Sequence, residues 1–296
     1  MTLHKQFGTI CAFVALCFMS TFTMAKTIQI AVTDLVGLEE LQREFGKFVE
    51  VLGDRSGYDI EFLPVTNRTA AVEALRFKKV DFVLTGPAEY VVMQKRTDAK
   101  LVVGFSRPDY FAVIITRTDG DTRSVMDLKD RKVAFGSVGS TSKHLGPVQA
   151  IADNGLDPAK DVEIIHTNMN VAWEALKKGD VAAVGMNHIN FLSFRDDELE
   201  KGGLQPGAFR VIARGPDLPN DVLMAGSHVE QSVIDKIRSV FIDHSEELVK
   251  AMLAGEDNQK YKGMQFLTAV KDSDYNYVRA MYKTAGYPEY SEFIGE

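Results

Sequence analysis

Short apolar runs alternate with segments whose apolar residues recur every three or four positions, and this alternation continues along most of the chain. Runs of four to eight β-branched and aromatic residues predict strands, and the 3.6-residue period predicts helices. Ile28 to Val32 reads as a first strand, followed by a helix carrying Leu38, Leu41, Phe45, Phe48 and Leu52 on one face. Ile60 to Val65 predicts a second strand, Thr69 to Lys79 a helix, and Phe82 to Leu84 a short strand running into Thr85-Gly86-Pro87. Leu101 to Phe105 and Phe111 to Thr116 read as further strands. After a polar stretch from Arg117 to Ser124 a second β-α series begins: strand Val133 to Phe135, helix Ser142 to about Asn154, strand Val162 to His166, helix through Trp173 to Lys178, strand Ala182 to Met186. Val211 to Ala213 would complete that sheet and Asp221 to Ala225 would carry the chain back, with mainly helical pattern from Val229 through Tyr275 to Tyr282.

Strands alternating with helices predict α/β architecture with two mixed, mainly parallel sheets and helices on both faces. The two series divide the chain into two lobes, 26–116 with 219–296 and 117–218 between them, joined near Thr116 to Thr118 and Leu218 to Val222. A ligand cleft is expected between the lobes, because open α/β sheets bind ligands at the carboxyl ends of their strands.

The first 25 residues change the picture of where the protein works. Lys5 and His4 precede a continuously apolar run from Ile10 to Met19, and Thr23-Met24-Ala25 ends in a small residue. That is the pattern of a cleaved export signal. The apolar run is short for a membrane span. Both cysteines, Cys11 and Cys17, fall inside it, so the 271 residues left of 296 would carry no thiol. This suits an oxidising compartment and removes thiolate catalysis and cysteine-held metals together. Removal of Lys5 leaves 33 basic against 41 acidic side chains, a net charge of −8, which gives no electrostatic footprint for nucleic acid or anionic membrane.

Against that acidic background, Gly136-Ser137-Val138-Gly139-Ser140-Thr141-Ser142-Lys143-His144 stands out between a strand and a helix start. Two glycines allow a sharp turn that aims several N–H groups at one spot, and a helix start adds partial positive charge and hydroxyl caps. Lys143 sits in a first turn where a cation is unfavourable without a negative partner. The string equally fits an ordinary N-cap with a solvated Lys143, and the residues alone leave both readings open. No Gly-x-Ser-x-Gly elbow, His-Glu-x-x-His or Gly-x-x-x-x-Gly-Lys-Ser/Thr loop occurs, so neither a hydrolase nor a nucleotide triphosphatase is indicated. Neither His166 nor His188 has a partner at metal spacing, and no metal or cofactor is expected.

Taken in order, Val72-Glu73-Ala74-Leu75-Arg76-Phe77, Lys79-Val80-Asp81, Gly86-Pro87-Ala88-Glu89-Tyr90, Gly139-Ser140-Thr141-Ser142 before Pro147, Gly179-Asp180-Val181 and a late Asp221 resemble the periplasmic solute-binding proteins for phosphonate, phosphite and phosphate that serve ABC importers. The resemblance covers nearly all of the chain after residue 25. It implies a type II bilobal binding fold, no enzymatic activity, and a small phosphorus oxyanion captured by hinge closure and delivered to an ABC permease. It further implies that Ser140, Thr141 and Ser142 hold the oxyanion, that Tyr90 lines the cleft and that Asp221 touches the ligand's distal or protonated part.

The chain also departs from that pattern. Met169 and Ile189 stand where relatives that bind an aminoalkylphosphonate place a His and a Glu, which disfavours an amine-bearing ligand. Arg68 stands where many relatives have a tyrosine, and Lys143-His144 replaces a small residue. A guanidinium can fork onto two oxyanion oxygens, so Arg68, Lys143 and His144 join the candidate ligand contacts. Arg68 could instead pair with an acid such as Asp34 or Asp81. The protein is expected to act as a monomer. A sensing subunit docked on a membrane histidine kinase, cyclase or chemoreceptor is the competing reading.

Overall fold

A computed structural model describes residues 26–33 and 37–290. The residues read as an export signal, and Asp34, lie outside the described residues.

Two sheets form the frame. The first has strand order β11-β4-β10-β3-β1-β2, where β1 is Thr27–Val32, β2 Asp59–Phe62, β3 Phe82–Thr85, β4 Lys100–Phe105, β10 Asp221–Ala225 and β11 Phe266–Leu267. The second has order β7-β6-β8-β5-β9, from β5 (Phe111–Arg117), β6 (Arg131–Phe135), β7 (Val162–His166), β8 (Ala183–Asn187) and β9 (Phe209–Asp217). β1 pairs in parallel with β2 and β3, and β6 in parallel with β7 and β8, as β-α-β units require.

Strand β5 falls in the second sheet, antiparallel to β8 and β9, whereas the sequence pattern assigns it to the first lobe. The first crossing is therefore residues 106–110, between β4 and β5, not 116–118. The polar stretch at Arg117 to Ser124 is a turn inside the second lobe. The second crossing falls at 218–220, between β9 and β10. The physical reason lies in direction. A short crossing that leaves β4 at its carboxyl end must enter the next sheet from that same side, against its neighbours, so β5 is antiparallel there and β10 is antiparallel in the first sheet. Both crossings, and the carboxyl ends of β3, β4 and β8, thereby meet at one place.

Helix α1 (Leu38–Ser56) buries Leu41, Phe45, Phe48 and Leu52 of its predicted stripe against the first sheet, while Leu38, in its first turn, is exposed. The first lobe also carries α2 (Arg68–Arg76) and α3 (Pro87–Thr97) on the opposite face, and the second lobe α4 (Gly146–Asp153), α5 (Met169–Lys178) and α6 (His188–Glu200). Trp173 on α5 lies in the second lobe's core with Phe191 and Phe209. After α7 (Gln231–Asp243) and α8 (Ser245–Met252), the last helix among the described residues is α9 (Asn276–Thr284), which does not belong to the first lobe alone. On α9, Tyr282 donates its hydroxyl hydrogen to the Ala88 carbonyl of α3 at 3.1 Å, and Thr284 donates to the Gln149 side-chain carbonyl of α4 at 2.6 Å. This helix therefore straps the two lobes together.

Candidate functional site

The first-lobe wall of the cleft is built where β3 gives way to α3. Gly86 is the N-cap and Pro87 occupies the first turn, where its missing N–H costs nothing. A side chain at Gly86 would come within 2.7 Å of the Glu89 carboxylate, so any larger residue would push that carboxylate aside. Glu89, buried in that first turn, favours the helix N-terminus and accepts from Arg68 Nε at 2.7 Å. Arg68 itself opens α2, directly after its N-cap Asn67, whose side-chain oxygen accepts from the Ala70 N–H at 2.8 Å.

The second-lobe wall is the turn between β6 and α4. Gly139 takes φ +85°, a left-handed conformation that glycine adopts without strain. Ser140 then caps a π-helical turn, Thr141–Leu145, its oxygen accepting from the Lys143 N–H at 3.3 Å. Thr141 and Ser142 are buried. The Thr141 hydroxyl oxygen accepts from the Ala88 N–H of the first lobe at 3.1 Å, so the starts of two helices from different lobes touch across the cleft. Asn187, at the end of β8, caps α6 and makes a longer 3.4 Å contact to Ser142 Oγ.

The crossings form the back of the cleft. Arg107 donates its N–H to Asn220 Oδ1 at 2.9 Å, joining one crossing to the other. Its guanidinium lies 3.7 Å from the centre of the Tyr110 ring and 3.6 Å from Asp221, a stacked and ion-paired setting that suits arginine. Asp221 accepts from the Tyr261 hydroxyl at 2.5 Å. Burial raises the Tyr110 phenol above its ordinary value, so Tyr110 stays a neutral hydrogen-bonding group.

These walls enclose a cleft of about 520 Å³. Of the residues expected from sequence, Arg68, Ser140, Thr141, Ser142, Lys143 and Asp221 line it. Tyr90 and His144 do not. Tyr90 lies one turn into α3 and points back into the first lobe, where its ring packs 4.2 Å from Tyr275 and its hydroxyl donates to Asp272 at 2.8 Å. His144 lies on the far side of its turn, 6% exposed, facing His166. Arg68 pairs with Glu89 rather than Asp81, whose carboxylate instead meets His228 at 3.2 Å.

Arg107, Tyr110, Asn187, Asn190, Asp257 and Lys260 also line it and were not expected. Ser106-Arg107-Pro108-Asp109-Tyr110, a polar break between two apolar runs, carried the one usable signal, that of a crossing. Asp257 and Lys260 come from a late 3-10 turn, Asp257–Tyr261, that nothing in the local pattern connects to the cleft. Of the two positions read as disfavouring an amine, Ile189 does line the cleft, but Met169 is buried in the second lobe's core. Carboxylates of Glu89, Asp221 and Asp257 share the cleft with the cations, so the case against an amine rests on Ile189 alone.

Two α/β lobes joined by paired crossings, with helix starts facing each other over a polar cleft, define a type II periplasmic binding protein, and solved structures of that class match this fold. The chain belongs to the family described as "ABC transporter, phosphonate, periplasmic substrate-binding protein", whose profile matches residues 36–277. Among individual relatives, it is 23% identical over 228 residues to the phosphate-import protein PhnD of Mycolicibacterium smegmatis, covering 73% of this chain and 71% of that one. A binding protein component of an ABC phosphonate transporter from Pseudomonas aeruginosa superposes with a TM-score of 0.63 at 18% identity, over 87% of this chain and 85% of the other. PhnD1 from Prochlorococcus marinus, solved with methylphosphonate, gives a TM-score of 0.63 at 16% identity, over 88% and 98% of the two chains. The protein is thus a substrate-binding component of the phosphonate ABC transporter family, a family of binding proteins and not of enzymes.

Proposed function

We propose that the protein captures a compact phosphorus oxyanion, phosphate or a simple phosphonate, and delivers it to an ABC permease after export through its N-terminal segment. The observation that carries this reading is the convergence of the Ser140–Ser142 turn and the start of α3 on a cleft also lined by Arg68, Arg107, Lys143 and Lys260. Backbone donors and helix ends preset in a partly dry cleft bind an anion with little reorganisation. Asp221 and Glu89 add acceptors that suit a protonated P–OH and repel an anion with no proton to give. A ligand touching both lobes stabilises the closed arrangement by its differential affinity for it.

Isothermal calorimetry with phosphate, phosphite, methylphosphonate, 2-aminoethylphosphonate and sulfate tests the reading. Phosphate or methylphosphonate is expected to bind at least tenfold more tightly than sulfate. Binding of none of the phosphorus anions would overturn the ligand class, and preference for 2-aminoethylphosphonate would move the ligand to an amine bearer received by the cleft carboxylates.

A further inference from the structure

Beneath the oxyanion turn lie two histidines that do not line the cleft. His144 Nδ1 accepts the Gly139 N–H at 2.9 Å, so its proton resides on Nε2. His166, at the end of β7, donates Nδ1–H to the Gly136 carbonyl at 2.7 Å, and the two rings meet edge to face with centroids 4.6 Å apart. Gly136 in turn donates its N–H to the Lys143 carbonyl at 2.9 Å. Both glycines of the turn are thus held by an imidazole, and one of them, Gly139, has the left-handed φ that sets the direction of Ser140 and Thr141.

We propose that His144, seated by His166, is a positioning residue whose unprotonated imidazole holds the Gly139–Ser142 turn in its anion-receiving shape. That the turn receives an anion rests on the function proposed above; the clamp itself does not. Protonation converts Nδ1 from acceptor to donor, and two donors then face each other inside a buried turn. The turn must open or the proton must stay away. Burial, and secondly the neighbouring His166, hold His144 down to about 4 from its ordinary 6.5, which keeps it neutral across the physiological range. The charge that acts with burial to lower His144 is that of His166, on β7. Lys143, next in the chain, turns its side chain along Gly136 toward the cleft.

The test compares His144→Asn, whose Oδ1 can replace the acceptor, with His144→Phe, which keeps a ring and removes it. Calorimetry with inorganic phosphate and methylphosphonate should show His144→Asn within about threefold of the parent and His144→Phe about tenfold or more weaker, the scale of one buried hydrogen bond. In the same variants, amide exchange at Gly139 should be at least about tenfold faster in His144→Phe only. Parent-like affinity together with parent-like Gly139 exchange in His144→Phe overturns the proposal. If the parent binds neither anion, the ligand reading fails, and Gly139 exchange alone decides the clamp. Should His144→Phe not fold, acid titration of the ¹⁵N-labelled parent decides it: the Gly139 amide signal must move with the His144 ring, and independent movement refutes the clamp. His166→Ala should raise the pH at which His144 titrates.

Discussion

Arg68 and Glu89 show how a cation can serve both structure and site. The Glu89 side chain is 5% exposed and Arg68 Nε reaches it at 2.7 Å, so neither is a solvated surface charge. Removing one partner of a largely buried pair takes a charge-assisted bond from the other. Arg68→Ala is expected to cost about 1 to 3 kcal/mol of stability by urea unfolding, scaled down because Arg68 is 22% exposed. It should also weaken phosphate more at mildly alkaline pH, where the dianion prevails, than at mildly acidic pH; equal losses would mean that Arg68 supports the site without touching the ligand. Tyr90 gives the opposite expectation. Tyr90→Phe removes one hydrogen bond to Asp272 and should cost about 1 kcal/mol of stability while leaving calorimetric affinity unchanged. His144 sets a pH dependence whose sign follows from its lowered value. The unfolded chain takes up this proton near 6.5 and the folded one only near 4, so stability is intact above about pH 6.5 and falls as pH drops toward 4. The loss is roughly 3 kcal/mol at 1.36 kcal/mol per unit, and denaturant melts of the parent and of His144→Asn at several pH values would measure it.

At the scale of elements, the turn between β6 and α4 depends on a backbone conformation more than on side chains. Gly139 at φ +85° would be strained by any Cβ, and Gly139→Ala is expected to destabilise by about 1 to 2 kcal/mol and to lower oxyanion affinity, because the Ser140 and Thr141 donors would swing away. A thermal melt and a calorimetric titration on one preparation separate the two effects. Helix α3 shows the same division from the other side. One side of its N-terminal turn faces the cleft and the other faces the core, which is why neighbours in one motif, Glu89 and Tyr90, have different fates. A motif read as a string cannot make that distinction, since a helix rotates each residue by about 100° from the last.

At the scale of the whole molecule, the proposed hinge motion would take the two crossings, joined by Arg107 and Asn220, as its axis, with the Ala88 to Thr141 hydrogen bond and the α9 contacts holding the lobes together. Saturating phosphate or methylphosphonate is expected to reduce the radius of gyration in small-angle scattering and to raise the melting temperature, as any ligand specific to the folded state must. Binding without compaction would mean that the lobes are already closed before the ligand arrives.

The alternation of strands and helices, the apolar stripe of α1 and the glycine-hydroxyl turn were legible from the sequence because each depends on local periodicity or on backbone freedom at a few adjacent positions. Tertiary structure alone decided that β5 belongs to the second sheet, that Arg107 and Tyr110 form the back of the cleft, that Lys260 and Asp257 reach it from a distant turn, and that Tyr90 and His144 face away from it. Those outcomes depend on strand direction after a crossing and on which side of a helix or turn meets the other lobe. Both are set by contacts between residues far apart in the chain, and local pattern carries no record of them.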